Sequence, residues 1–228
     1  MNNLNGVHTK EDRDEWYTLY EDVKRELDNY DLTGLKIVCP CDGEHSAFVQ
    51  YMRDNNYDFD YFEGDYESVD YNKYDVVITN PPFKNYQKFY NLIKDMKFIV
   101  VAPLTVSYKS WFDYMDVSVG YSGRIKEFTR PDGSIEKLGN VVWITNMKKT
   151  AGKPLELCDN MDGVRTLDDG SFEVAKKKDI PKKKGMYYVP ITLFEHTPLC
   201  DNIKIFGVRN DCKYKGKKLY TRFLVEVR

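Results

Sequence analysis

Three short, uninterrupted apolar runs constrain this chain most: Ile37-Val38-Cys39, Val76-Val77-Ile78-Thr79 and Phe98-Ile99-Val100-Val101-Ala102-Pro103. Each is too short for a stable helix. Each is apolar at successive rather than alternating positions, the mark of a strand buried on both faces. Residues 58–65 read as a further strand running into a glycine turn, and residues 45–55 and 85–96 read as helices. This strand–helix alternation predicts an α/β fold, with a Rossmann-like, mostly parallel sheet flanked by helices on both faces.

Upstream, Trp16, Leu19, Tyr20, Val23 and Leu27 recur at spacings of three and four, which predicts one amphipathic helix over residues 10–30. The rhythm changes after residue 117. Residues 140–145, Asn-Val-Val-Trp-Ile-Thr, predict a strand at the sheet's antiparallel edge. Residues 148–185, rich in Lys, Asp and Gly, read as an exposed loop or insert, and short strands are expected at 187–193, 203–208 and 219–227. The expected organisation is a core over residues 1–146 and a small basic C-terminal extension over 147–228.

Charge divides the same way. Residues 1–146 carry 16 Lys/Arg against 25 Asp/Glu, a balance of −9, whereas residues 147–228 carry 18 against 11, a balance of +7. A basic extension on an acidic body suits a polyanion such as nucleic acid, because phosphate contacts dominate that affinity. The triplets Lys176-Lys177-Lys178 and Lys182-Lys183-Lys184 are the candidate contacts; a merely solvated loop is the plainer alternative. Five cysteines, with no CxxC pair and no histidine at zinc-ligand spacing, read as free thiols, and no metal is expected. No apolar run approaches the ~20 residues that span a bilayer. The opening residues lack the features of a secretory leader, so a cytoplasmic location is the expectation.

The chemistry concentrates at Asn80-Pro81-Pro82-Phe83, which closes the run Val76 to Thr79. Ligands of open α/β sheets sit beyond such carboxyl ends. Consecutive prolines stiffen the loop and fix two acceptors, Asn80 Oδ1 and the Pro81 carbonyl. Such a pair suits a planar amine like adenine N6. Accepting from both its hydrogens favours a pyramidal nitrogen and localises a lone pair otherwise delocalised into the ring. Phe83 offers a flat face for an extruded base. A proline turn capping a strand is the bland alternative.

These residues resemble motif IV of amino-group methyltransferases, where Asp, Asn or Ser precedes Pro-Pro and an aromatic. Further segments resemble the EcoRI-type adenine-specific DNA methyltransferase family, in order along nearly the whole chain: Asp14 to Thr18, Cys41-Asp42, Glu63-Gly64-Asp65-Tyr66, Thr79 to Phe83, Gly139 to Asn146, Val189-Pro190-Ile191-Thr192 and Leu224 to Arg228. The resemblance implies a Rossmann-like, S-adenosylmethionine-dependent enzyme that methylates N6 of an extruded adenine in a DNA site, with a cognate restriction enzyme as a possible partner. RNA adenine, a protein glutamine amide, or a catalytically silent DNA-binding relative are the alternatives.

By the same resemblance, Asn80, Pro81, Pro82 and Phe83 are catalytic. Tyr17 and Thr18 lie over the methionine end of the cofactor, although a helix-core aromatic beside a surface hydroxyl would look the same. Cys39 and Asp42 belong to the cofactor loop after the first strand, with Asp42 pairing the methionine ammonium or acting as a simple turn residue. This loop departs from the usual pattern by lacking a full GxG. Glu63 and Asp65 compete to hold the ribose hydroxyls and the cofactor's adenine amine, and Asn80 completes the cofactor set. Trp143 reads as a packing residue.

Overall fold

The computed structural model describes residues 16–103, 105, 106, 109, 124–130, 132–147, 150, 155–190 and 202–228. Asp14-Glu15, Ile191-Thr192 and Cys200, all singled out from the sequence, fall outside the described residues.

The chain builds, in order, β1 (Tyr17–Thr18), α1 (Tyr20–Leu27), β2 (Lys36–Cys39), α2 (Ala47–Asp54), β3 (Asp58–Tyr61), β4 (Val76–Thr79), α3 (Tyr86–Ile93), β5 (Lys97–Pro103), β6 (Arg124–Thr129) and β7 (Ile135–Thr145). Their strands form one seven-stranded sheet in the order β1-β6-β7-β5-β4-β2-β3. Strands β3, β2, β4 and β5 run parallel, as continuous apolar runs demand, and β7, β6 and β1 complete the sheet antiparallel. The chain leaves β2 for β3 at the edge and returns past β2 to β4. The switch in strand order therefore lies between β2 and β4.

Each face of the sheet buries alternate residues. Ile37, Cys39, Val76, Ile78, Ile99, Val101 and Trp143 pack under α1 and α2, where Trp143 meets Phe48 edge-on at 5.8 Å. Val38, Val77, Phe98, Val100 and Ile144 pack under α3 on the other face. Fully burying each such side chain contributes on the order of 1.5–3 kcal/mol. Helix α2 opens on Ser46, whose hydroxyl accepts from the Val49 N–H at 3.2 Å.

The C-terminal part contributes β8 (Val164–Thr166), β9 (Phe172–Val174), β10 (Gly185–Pro190), β11 (Ile203–Arg209), the two-stranded hairpin β12 (Lys213–Tyr214) and β13 (Lys217–Lys218), and β14 (Arg222–Val227). A second sheet runs β11-β14-β10-β9-β8. Its Val174, Tyr187, Val189, Phe223 and Val225 join the apolar cluster that holds α3. That face of the main sheet is thus covered by a helix together with a sheet, and not by helices alone.

Three sequence expectations are corrected. Tyr17 and Thr18 are not helical: they pair with Thr129 and Phe128 of β6, and the helix starts at Tyr20. Residues 148–185 are not simply an exposed insert, because β8 and β9 pair within them and Leu167, Glu173, Val174 and Ile180 are buried. Strand β7 begins at Ile135, five residues earlier than the apolar run, and is an interior strand because β6 pairs along it. Each reflects a partner distant in sequence, which periodicity cannot register. Among the described residues, no helix is long and apolar enough to cross a membrane.

Candidate active site

A cavity of about 330 Å³ opens beyond the carboxyl ends of β2 and β4, at the strand-order switch, where open α/β sheets bind ligands. Three chain segments wall it: Trp16 with β1, residues 41–43 and 46–48 running from the end of β2 into the first turn of α2, and residues 80–83 after β4, with Glu63 and Gly64 at the rim. Eight of the residues singled out from the sequence line it: Tyr17, Thr18, Asp42, Glu63, Asn80, Pro81, Pro82 and Phe83.

Asn80 is oriented by the backbone of a residue 64 positions earlier: its Nδ2 donates to the Trp16 carbonyl at 2.7 Å. This bond fixes which end of the amide is oxygen. Oδ1 is then left buried with no hydrogen-bond partner among the described residues, and so is Thr18 Oγ1. A buried acceptor in that state costs about 1–3 kcal/mol, which a ligand donor would recover. Beside it, the Trp16 and Phe83 rings lie 6.1 Å apart at 33°. Trp16 Nε1 donates to Glu136 Oε2 at 3.0 Å, and the same carboxylate pairs with Arg130. Glu136 is thereby held below the usual carboxylate range by the Trp16 and Arg130 hydrogen bonds.

Asp42 ties the two strand ends together. Its Oδ2 accepts from the Thr79 hydroxyl at 2.5 Å, with further support from Ser46 and the Asn80 N–H. Burial nevertheless dominates and pushes its carboxyl up to about 7, the three hydrogen bonds offsetting only part of the desolvation. An incoming cation would favour the charged form.

At the rim, the Glu63 carboxylate lies against Gly43. A Cβ at Gly43 would stand 2.8 Å from Glu63 Cδ, so the bare backbone is what lets Glu63 lean over the β2 loop. Asp65 is separate: its side chain accepts from the Glu67 N–H in a local turn, and it does not line the cavity. Cys39 is also apart, fully buried in the core under α1 and α2. Both fall outside the cavity, although the family resemblance implied a cofactor-binding role for each. The sequence had not marked Trp16, Cys41, Gly43, Ser46, Ala47, Phe48 or Gly64 as site residues, and all seven line the cavity. Trp16 carried a signal, standing next to Tyr17-Thr18, but helical periodicity had assigned it to packing.

The lysine triplets lie elsewhere. Lys176, Lys178, Lys182, Lys183 and Lys184 are exposed, and Lys182 pairs with Asp159 at 2.6 Å; the Lys177 side chain is outside what is described. None of these five lines the cavity.

An α/β sheet carrying such a cavity at its switch point, closed by a proline-stiffened loop with an unsatisfied amide oxygen, defines a small-ligand site built for a hydrogen-bond donor. The chain matches no protein-family model. It is similar to the Type II methyltransferase M.MgeORF184P of Mycoplasma genitalium, 26% identical over 234 residues that cover 76% of this chain and 70% of that protein. The similarity supports a methyltransferase.

Proposed function

We propose that this protein is an S-adenosylmethionine-dependent DNA methyltransferase of Rossmann-like fold that modifies the exocyclic N6 amine of adenine. The observation that carries the reading is the orphaned Asn80 Oδ1 in the wall of a cavity at the strand-order switch. The similarity to a Type II methyltransferase supports the class and DNA as substrate.

The residues present fit the cofactor on three observations: the buried, unpartnered Thr18 Oγ1, the buried Asp42 carboxyl between the strand ends, and the Glu63 carboxylate leaning over Gly43. Asp42 would hold the cofactor's ammonium, Thr18 and Tyr17 its methionine end, and Glu63 its ribose hydroxyls. When bound, S-adenosylmethionine supplies a methyl group activated by its sulfonium.

The protein's own part is positioning. Asn80 Oδ1 and the Pro81 carbonyl accept the two amine hydrogens, holding the nitrogen pyramidal with its lone pair directed away from the ring. The Pro81-Pro82 backbone keeps the acceptors in place before the base arrives. Phe83 and Trp16 stack on the extruded base and exclude water. No strong base is needed, because the proton leaves only after the nitrogen has become cationic. The exposed lysine triplets would contact phosphates, supplying affinity without sequence information.

The test is incubation of the protein with S-adenosylmethionine and duplex DNA, or structured RNA, or a glutamine peptide, followed by digestion and mass analysis. N6-methyldeoxyadenosine is the expected product. Its absence, with N6-methyladenosine or methylglutamine found instead, overturns the DNA assignment.

A further inference from the structure

Hairpin β12–β13 is unusual for a surface turn. Residues 213–218 read Lys-Tyr-Lys-Gly-Lys-Lys, four cations and no anion. Lys213 and Lys218 stand directly opposite each other across the two strands. Like charges in that register destabilise a hairpin. Among the described residues none of the four forms an ion pair, and all four are exposed. Two residues farther on, Tyr220 is 89% exposed.

This charged tip is held by groups that form no ion pair with its lysines among the described residues, although Lys215 Nζ lies over the Tyr214 ring at 5.2 Å. Lys215 and Gly216 form the two-residue connection with φ of 51° and 74°. The Asp168 carboxylate binds the backbone of this turn and not its side chains, accepting from the N–H of Lys215 at 2.8 Å and of Gly216 at 2.9 Å. At the hairpin's base, Glu173 is fully buried between Arg165 and Arg222, with Arg222 Nε at 2.8 Å from Oε1. Arg165 stacks over the Tyr214 ring at 4.1 Å, and Arg222 Nη1 donates to the Tyr220 carbonyl at 3.0 Å. A buried ion cluster thus braces both the cationic strand and the backbone that presents Tyr220.

We infer that the β12–β13 hairpin is a contact surface for duplex DNA, distinct from the lysine triplets. Its lysines lie along the phosphate backbone, which relieves their mutual repulsion, and Tyr220 packs its ring on a deoxyribose and donates its hydroxyl to a phosphate oxygen. This deepens the function proposed above and rests on it for the choice of DNA as the polyanion.

The experiment measures binding of the full chain to a fluorescent 30-base-pair duplex as a function of salt. Each phosphate contact contributes about 0.9 to the slope of log affinity against log salt. K217Q/K218Q should therefore flatten the slope by about 1.8, Lys-to-Arg variants at the same positions should restore it, and Tyr220→Ala, which removes a neutral donor to a phosphate, should weaken binding about tenfold with the slope retained. All these side chains are exposed, and melting curves matching the wild type confirm the fold. An unchanged slope in K217Q/K218Q overturns the inference, as does failure of the wild type to bind duplex DNA, or hairpin-dependent binding of RNA or an acidic peptide in its place. Methyl transfer assayed on the same samples separates the two readings. A lost slope without any methylation by the wild type supports the hairpin and removes the enzyme reading; methylation of DNA with an unchanged slope does the reverse.

Discussion

The Asn80 side chain donates to the Trp16 main-chain carbonyl at 2.7 Å, joining the loop after β4 to the segment that enters β1. The orientation of the Asn80 amide is therefore set from outside the loop. Replacing Asn80 by alanine removes the acceptor and leaves the cavity's other walls in place. Asn80→Ala should lower kcat by at least about a hundredfold, comparable to deleting one preorganised hydrogen-bonding group at a reacting centre. Calorimetry should find S-adenosylmethionine binding within about threefold of wild type; normal turnover would defeat the role assigned to Asn80.

Trp16 contributes its ring as well as its carbonyl. Trp16→Phe keeps an aromatic wall but deletes the Nε1 hydrogen bond to Glu136, and should cost about 0.5–1.5 kcal/mol in urea unfolding. Trp16→Ala, which also removes the contact with Phe83, should lower kcat further through a mobile Asn80. A kcat equal to that of Trp16→Phe would show that the ring plays no part in holding the loop.

Asp42 gives the protein a pH signature. Burial raises its carboxyl to about 7 in the folded state, above the 3.8 of the unfolded chain. Between these values the folded state keeps a proton that the unfolded state releases. Stability from this group is complete below about 4, falls as pH rises toward 7 at no more than about 1.4 kcal/mol per unit, and levels off above. Asp42→Asn should flatten that window in a series of melts. Cofactor affinity should move the opposite way, rising with pH through 7, because the ammonium pairs with the ionised carboxylate; calorimetry in two buffers would register the proton released.

Gly43 should be replaceable for folding and not for binding. In Gly43→Ala the new Cβ meets the end of the exposed Glu63 side chain, which can swing away. We expect stability within about 0.5 kcal/mol of wild type and cofactor affinity about tenfold weaker, matched by Glu63→Gln. Wild-type affinity in both variants would take Glu63 out of the site.

Glu173 supports the second sheet. Glu173→Ala leaves Arg222 inside without its partner, and breaking a buried pair in this way costs about 3–5 kcal/mol. Chemical denaturation should show that loss, whereas Lys182→Gln, which removes an exposed pair with Asp159, should change stability by less than about 1 kcal/mol.

What the sequence settled by itself was local: the apolar runs that become β2, β4 and β5, the helices that become α2 and α3, and the stiff Asn-Pro-Pro-Phe turn closing β4. Hydrophobic period and proline geometry act within a few residues, so these elements could be read directly. Tertiary structure alone decided the rest. Tyr17 and Thr18 fall inside a stretch that Trp16, Leu19, Tyr20, Val23 and Leu27 space as a helix, yet pairing with β6 more than a hundred residues away makes them a strand. Two three-residue strands inside a lysine-rich stretch form because Val174 finds the core beneath α3. The separation of Glu63 from Asp65, the exclusion of Cys39 and the recruitment of Trp16 follow from where β2 and β4 part in the sheet. Strand order is fixed by which surfaces can be buried together, and that is a property of the whole chain and of no single segment.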